Sequence, residues 1–176
     1  IRAEREYRAS AEWAADREYF VEKYRDVEPA LFTRLGSVRS RRRRHHTMRV
    51  NPEAAQRIRE SGHSIFAFTA AALGEYLGRI HRGRDVMIGV PFLNRSTDAE
   101  LGMVGCTTNM LPLRIPGDSE LSMGELADRI SGEVWELQAR QRFAYGDLAT
   151  ALQDRAETTM FDVTYSYLTI PDNEHA

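Results

Sequence analysis

The segment from Asp85 to Ile115 constrains the fold of this chain more than any other. It consists of an apolar run that ends in Gly-Val-Pro, a polar loop, and a second apolar run interrupted by Asn and Pro. Apolar runs of this length between turn residues predict buried strands, here over residues 86–92 and 107–115. Pro112 places the second strand at a sheet edge or an irregular position, because proline cannot donate to the ladder.

Helix signals surround these two strands. Asn51-Pro52-Glu53, Ser64 and the capping box from Ser122 to Glu125 predict three helix starts. The predicted helices end at Gly62, at Gly83 and near Arg142, and a shorter helix is predicted over residues 147–154. Residues 161–170 alternate in a β pattern. This order predicts an α/β fold in which helices flank a mixed sheet.

The first part of the chain shows one apolar stripe. Residues 2–27 read as a single charged helical segment, and its stripe consists of Trp13, Phe20, Tyr24 and Val27. We expect the aromatic members to be partly exposed in this chain by itself, and exposed apolar surface of this kind predicts self-association. Pro29 ends the segment, and an arginine-rich connector follows.

Composition narrows the classes of function. The 176 residues are 42% hydrophobic and 28% charged with a net charge of −2, which is typical of a globular domain and gives no general attraction to nucleic acid or to an anionic membrane. No apolar run reaches the roughly 18 residues of a membrane span. The single cysteine, Cys106, excludes an internal disulfide and fits the reducing cytoplasm.

His45-His46 is the first candidate for catalysis. In the acyl-transfer motif HHxxxDG the second histidine acts on the reacting amine, and Asp-Gly shapes the loop. Here Val50 and Asn51 occupy the Asp and Gly positions, so the motif fails at both. We therefore interpret the pair as two histidines of a basic connector. The five histidines and one cysteine also lack the spacing of a metal site.

Two further candidates have ordinary explanations. The basic run from Arg39 to Arg49 could bind phosphate or a phosphopantetheine carrier, but a solvated linker is favoured because the run lacks interleaved aromatic residues. Cys106 could be a nucleophile, but no histidine lies near it in sequence, and a small buried apolar role is favoured. Two roles stay open for Asn109: it pins a loop backbone, or it holds the wall of a channel.

The segment from Asp85 to Ile115 resembles the condensation domains of nonribosomal peptide synthetases, within the chloramphenicol-acetyltransferase-like superfamily. The matching residues are Gly89-Val90-Pro91, Asn94-Arg95, Val104-Gly105, Asn109 and Leu111-Pro112-Leu113-Arg114. Residues 140–148 are similar to the family's His-Gln-x-x-Pro element, with Arg140 in place of the histidine. Residues 161–167 resemble a late strand of the same domain.

The resemblance implies one lobe of a two-lobe sandwich. Residues 1–28 would be the helix that follows an absent N-terminal lobe, 29–44 the arginine-rich connector, and 45–176 the C-terminal lobe, truncated at its end. The two lobes of such domains meet at a tunnel, and the histidine motif belongs to the first lobe. The chain would therefore contribute no catalytic residue and no metal ligand, and we expect it to be inactive by itself.

The resemblance also implies an activity. Condensation domains form an amide bond between two thioester substrates that carrier proteins deliver on phosphopantetheine arms. The partners would be the N-terminal lobe and peptidyl carrier proteins, and the chain itself would bind no cofactor. The implied tunnel wall consists of Thr108, Asn109, Ser166 and Tyr167. The implied structural motif consists of Gly89, Pro91, Gly105, Pro112 and Arg114. Two alternatives stay open: an epimerization or other acyltransferase domain of the superfamily, and a non-catalytic module that docks carrier proteins.

Overall fold

A computed structural model describes residues 2–27, 44–117, 120–152 and 160–168. The elements in these ranges are α1 (Arg2–Arg8), α2 (Ala11–Tyr24), α3 (Pro52–Glu60), α4 (Ile65–Ile80), β1 (Val86–Phe92), α5 (Asp98–Leu101), β2 (Asn109–Ile115), α6 (Met123–Ala139), α7 (Tyr145–Ala151) and β3 (Val163–Thr164). The strands form one sheet in the order β2-β1-β3, with β1 antiparallel to β2 and parallel to β3. The predicted α/β class with a mixed sheet flanked by helices is confirmed. Within the described residues, every helix is too short or too polar to cross a bilayer.

Strand β2 lies at the edge of this sheet. Its register with β1 places Pro112 opposite Gly89 and Asn109 opposite Phe92. The hydroxyl of Tyr24 donates to the carbonyl oxygen of Pro112, so helix α2 covers part of the edge. The edge position predicted from Pro112 is confirmed, although the strand begins at Asn109, two residues later than the pattern predicts.

The helix starts follow the capping signals. The side chains of Asn51, Ser64 and Ser122 each accept a hydrogen bond from a backbone N–H of the first turn. Ser122 and Glu125 form the reciprocal capping box, as predicted. The helix ends are less well predicted: α6 stops at Ala139, before the predicted Arg142, and α7 starts at Tyr145, before the predicted residue 147.

The predicted single helix over residues 2–27 is wrong. The chain breaks at Ser10, whose extended backbone caps α2 and whose hydroxyl donates to the carbonyl of Tyr7 at 2.7 Å. The two helices are then joined by the Tyr7 hydroxyl, which donates to the buried carboxylate of Asp16 at 2.7 Å. Burial and this carboxylate raise the pKa of Tyr7. Serine favours such breaks because its side chain satisfies the first turn's free N–H groups.

The prediction that the aromatic stripe is partly exposed is wrong for Phe20 and Tyr24. Both are buried in the core of this chain. Phe20 stacks on Phe143, with ring centroids 5.3 Å apart, and Trp13 packs against the same ring at 5.8 Å and is partly buried. Phe143 belongs to the α6–α7 connection, so a segment of this same chain covers Phe20.

The late β pattern is only partly realised. Strand β3 covers Val163 and Thr164, the N–H of Tyr165 still bonds to β1, residues 166–168 continue outside the strand, and residues 169–170 lie outside the described ranges. The connector predicted over residues 29–44 lies outside them as well, except for Arg44.

Candidate functional site

A groove of about 510 Å³ lies where the end of β1 and the segment after β3 diverge. Its lining is mostly aliphatic and aromatic and comes from α4, β1, the two ends of the loop between β1 and β2, α6 and residues 165–168. The lining residues are Phe66, Val90, Pro91, Phe92, Leu93, Thr108, Val134, Tyr165, Ser166, Tyr167 and Leu168. A concave, largely apolar surface with a few polar groups is typical of a small-molecule site.

Tyr165 attaches one side of this groove to the domain. Its backbone N–H donates to the carbonyl of Gly89 at 2.9 Å, the last such bond before the strands diverge. Its ring packs on Phe66 with centroids 5.0 Å apart, and its hydroxyl shares a hydrogen bond with Thr69 of α4. The groove is therefore open at Ser166 because the segment is held at Tyr165 and diverges beyond it.

Gly89 permits the close approach of Phe161 to β1. A Cβ atom at position 89 would lie 2.6 Å from Cδ2 of Phe161, and Cβ atoms in proteins do not come that close to other heavy atoms. Phe161 in turn packs on Tyr145, with centroids 5.3 Å apart. The glycine therefore sets how closely the segment that carries β3 approaches the sheet.

We expect Gly89→Ala to destabilise the domain by about 1–3 kcal/mol, because the added methyl group overpacks the contact with Phe161. Urea unfolding measures the change. Gly132→Ala is the matched control: Gly132 is exposed in α6, and a Cβ there meets no atom within 4 Å. The control should be neutral or stabilising by up to about 1 kcal/mol. Equal stabilities for both variants would contradict the role assigned to Gly89.

Asn109 holds the α6–α7 connection. Its Nδ2 donates to the carbonyls of Gln141 at 2.9 Å and of Phe143 at 2.8 Å, and its Oδ1 accepts from the N–H of Tyr145 at 3.3 Å. The amide therefore uses both N–H groups and one oxygen acceptor on a single loop backbone. Of the two roles left open for this residue, the first is thus observed: Asn109 pins a loop. Its side chain is not part of the groove lining, although its strand partner Phe92 is.

The loop from residue 93 to residue 108 is held by Arg95. Its guanidinium donates to the hydroxyl of Thr107 at 2.9 Å and to the carbonyls of Leu101 at 3.1 Å and Gly105 at 2.6 Å. Thr107 donates onward to the carbonyl of Leu93 at 2.8 Å, which joins the two ends of the loop. The loop conformation is thus fixed beside the groove, which Leu93 and Thr108 line.

Two further contacts fix this loop. The N–H of Asn94, a residue in the left-handed region with φ of 54°, donates to the side-chain oxygen of Gln141 at 2.8 Å. Helix α5 begins with a capping box between Thr97 and Glu100. Hydrogen bonds from the backbone N–H groups of Ser96 and Thr97 lower the pKa of the Glu100 carboxyl.

Gly105 and Cys106 lie at the exposed side of the loop. Gly105 has a φ of +149°, which favours glycine, and no atom would contact a Cβ there. Cys106 is exposed, so the predicted buried apolar role is wrong. Leu101, Met103 and Val104 of the same loop are exposed too. Exposed apolar side chains favour self-association, which stays a prediction for this chain.

Arg114 anchors the other end of β2. Its Nε donates to the carboxylate of Asp85 at 2.6 Å, and its Nη1 donates to the carbonyl of Lys23 at 3.2 Å. Asp85 precedes β1 and Lys23 lies in α2, so this one guanidinium joins both neighbours of the strand. Buried in the same region, the Tyr24 hydroxyl has a raised pKa.

The histidines of the described residues lie away from the groove. His45 and His46 are exposed in the segment before α3. His63 shares a hydrogen bond with Asp128 of α6 at 2.9 Å, and His81 caps the end of α4. None of the four lines the groove. The described residues also contain no cluster of three or more His, Cys, Asp or Glu that could hold a metal ion.

The groove brings together Thr108, Ser166 and Tyr167 of the predicted wall, together with Pro91 of the predicted motif. Sequence reasoning missed its apolar members. Val90, Phe92 and Leu93 lie next to Pro91 in sequence, so the motif proline could have identified them as lining residues. Phe66 and Val134 come from distant helices, and nothing in their local sequence marks them.

The chain belongs to the condensation domain family, whose profile matches residues 1–175. It is similar to a dimodular nonribosomal peptide synthase of Bacillus subtilis, with 26% identity over 156 residues, covering 84% of this chain and 6% of the relative. It is also similar to an isonitrile lipopeptide synthase of Streptomyces coeruleorubidus, with 28% identity over 156 residues, covering 85% of this chain and 10% of the relative.

Solved structures agree with this assignment. The first condensation domain of the calcium-dependent antibiotic synthetase, in complex with substrate analogue 3a, superposes with a TM-score of 0.77 at 24% identity, covering 97% of this chain and 39% of that one. In complex with analogue 2a, that domain superposes with a TM-score of 0.73 at 26% identity, covering 97% of this chain and 40% of that one. The chain thus spans well under half of these solved chains and a tenth or less of the two relatives.

Proposed function

We propose that this chain is the C-terminal lobe of a condensation domain and supplies one wall of its substrate tunnel. The reaction would be amide formation, in which the amine of one carrier-bound thioester attacks the carbonyl of another and the carrier thiol leaves. Peptidyl carrier proteins would deliver both substrates on phosphopantetheine arms. The group that handles the amine proton would come from the N-terminal lobe.

One observation carries the proposal: three of the four residues expected at the tunnel wall line a single groove. Thr108 and the Ser166–Tyr167 pair are far apart in sequence, yet they face one cavity of about 510 Å³. Asn109 supports this wall from behind, because it pins the α6–α7 connection at the strand position paired with Phe92.

Among the described residues that line the groove there is no histidine, which supports the proposal that the N-terminal lobe supplies the group that handles the amine proton. HHxxxDG fails at Val50 and Asn51, and the four described histidines lie outside the groove lining. Proximity of two held substrates supplies much of the rate in such a reaction, and a wall contributes to that term. The described part of the chain would therefore position the substrates, and the N-terminal lobe would supply the base.

Filling the groove should slow the reaction. In a complete condensation domain containing this chain, we expect Thr108→Trp or Ser166→Trp to lower amide-forming turnover at least about tenfold, because an indole occupies space that a substrate needs. Turnover is measured with two loaded carrier proteins. Leu121→Trp is the matched control, since Leu121 lines a separate groove beside α4. Undiminished turnover in both wall variants would contradict the proposal.

A further inference from the structure

Among the described residues, those that line the groove carry no charge. All eleven lining residues are uncharged, and the aliphatic and aromatic ones come from α4, β1, α6 and the residues that follow β1 and β3. The polar side chains of this lining are the hydroxyls of Thr108, Ser166 and two tyrosines, and the Tyr165 hydroxyl already pairs with Thr69. The described surface therefore offers a ligand here an apolar lining with three hydroxyl groups.

Other grooves of the described residues have a different chemistry. A cavity of about 290 Å³ at the end of α2 is lined by Asp26, Arg84, Asp85 and Arg114. The groove beside α4 contains Glu75, Arg79 and Glu120. With 28% charged residues in the chain, the uncharged lining formed by the described residues distinguishes this groove from the two above and does not reflect the general composition.

The guanidinium of Arg95, in the adjoining loop, already forms hydrogen bonds within the protein. Arg95 donates to Thr107, to the Leu101 carbonyl and to the Gly105 carbonyl, so its guanidinium holds the loop together. A carboxylate in the groove would therefore lose water without gaining an ion pair from this residue. Transfer of an unpaired charge to an apolar site is costly.

We infer that this groove receives an uncharged, apolar acyl chain or side chain of the thioester substrate and rejects one that ends in a carboxylate. The inference rests on the proposed function and adds the substrate class to it. The apolar lining supplies binding by removing hydrocarbon surface from water.

Binding to the full 176-residue chain tests the inference. The three probes are pantetheine, octanoyl-pantetheine, and the analogue of the latter with a terminal carboxylate, measured by titration calorimetry or NMR. We expect octanoyl-pantetheine to bind at least about tenfold more tightly than the carboxylate analogue. Pantetheine should bind more weakly than octanoyl-pantetheine, since it lacks the acyl chain.

A variant that introduces a positive charge into the groove makes the test independent of how tightly the parent chain binds the probes. Thr108 is exposed at the groove, so Thr108→Lys should fold normally, as circular dichroism would verify. The new ammonium should favour the carboxylate analogue over octanoyl-pantetheine, raising the ratio of their affinities about fivefold or more relative to the parent chain. Leu121→Lys, in the groove beside α4, is the control and should leave this ratio unchanged.

The outcomes separate this inference from the proposed function. Equal affinities for the octanoyl and carboxylate probes, or no binding of either, would overturn the inference about substrate class. The wall variants Thr108→Trp and Ser166→Trp report on the proposed function through turnover, so that proposal could stand while this one fails. Tighter octanoyl binding that Thr108→Lys shifts toward the carboxylate probe would support both.

Discussion

Asn109→Asp should unfold this domain at a much lower urea concentration than the parent, with a loss of about 3–5 kcal/mol in the free energy of unfolding at neutral pH. The substitution changes one NH₂ group to an oxygen. Two donated hydrogen bonds are lost, and the new carboxylate faces the carbonyl oxygens of Gln141 and Phe143 at the positions that lie 2.9 and 2.8 Å from Nδ2. Like partial charges at that separation repel.

The matched control is Asn51→Asp. Asn51 caps α3 from an exposed position, and its Oδ1 accepts from the N–H of Glu53 at 2.8 Å. Aspartate caps a helix as well as asparagine does, so the same chemical change should be nearly neutral there. A loss below about 1 kcal/mol at position 109 would contradict the clamp described for Asn109.

The cost at position 109 should also depend on pH. Repulsion from the carbonyls and partial burial raise the pKa of the introduced carboxyl in the folded state above its unfolded value. The protonated carboxyl can donate one hydrogen bond, so part of the lost stability returns below the unfolded pKa of about 3.9 and disappears as pH rises through the folded pKa. Unfolding curves at acid and neutral pH, compared with the parent at each pH, measure this difference.

Much of the fold could be predicted because its signals are local. Ser64 and the Ser122–Glu125 capping box mark helix starts by chemistry that involves only the next turn. Strand β1 is a continuous apolar run, and Pro112 limits β2 to an edge. The helix ends were less accurate, since α6 stops at Ala139 without a glycine or proline to mark it.

The errors concern partners that are distant in sequence. Phe20 is buried by Phe143, more than a hundred residues away, and no stripe on a single helix reveals what will cover it. Cys106 is exposed in a loop that Arg95 holds, whereas the lack of a histidine near it in sequence had favoured a small buried role.

The site shows the same division. Thr108, Ser166 and Tyr167 were identified through a family resemblance, whereas Phe66 and Val134 enter the groove through the packing of α4 and α6. Asn109 is the mixed case. The pattern showed that its amide needs partners, and the structure identifies them as the backbone of the α6–α7 connection.

The second large effect concerns activity and tests the central claim directly. The 176-residue chain, incubated with donor and acceptor carrier proteins loaded with thioesters, should form amide at no more than the uncatalysed rate, because the described residues that line its groove include no histidine. Addition of a separately expressed N-terminal lobe with an intact HHxxxDG motif should raise the rate by about 10²-fold or more, the typical contribution of general acid–base catalysis.

A matched control uses the same N-terminal lobe with its second motif histidine replaced by alanine, which should restore binding of the two lobes without the rate. Product is followed by mass spectrometry of the acceptor carrier. Amide formation that depends on both the added lobe and its histidine is the result expected if this chain is a tunnel wall whose base lies elsewhere. Turnover above background by the 176-residue chain alone would contradict it.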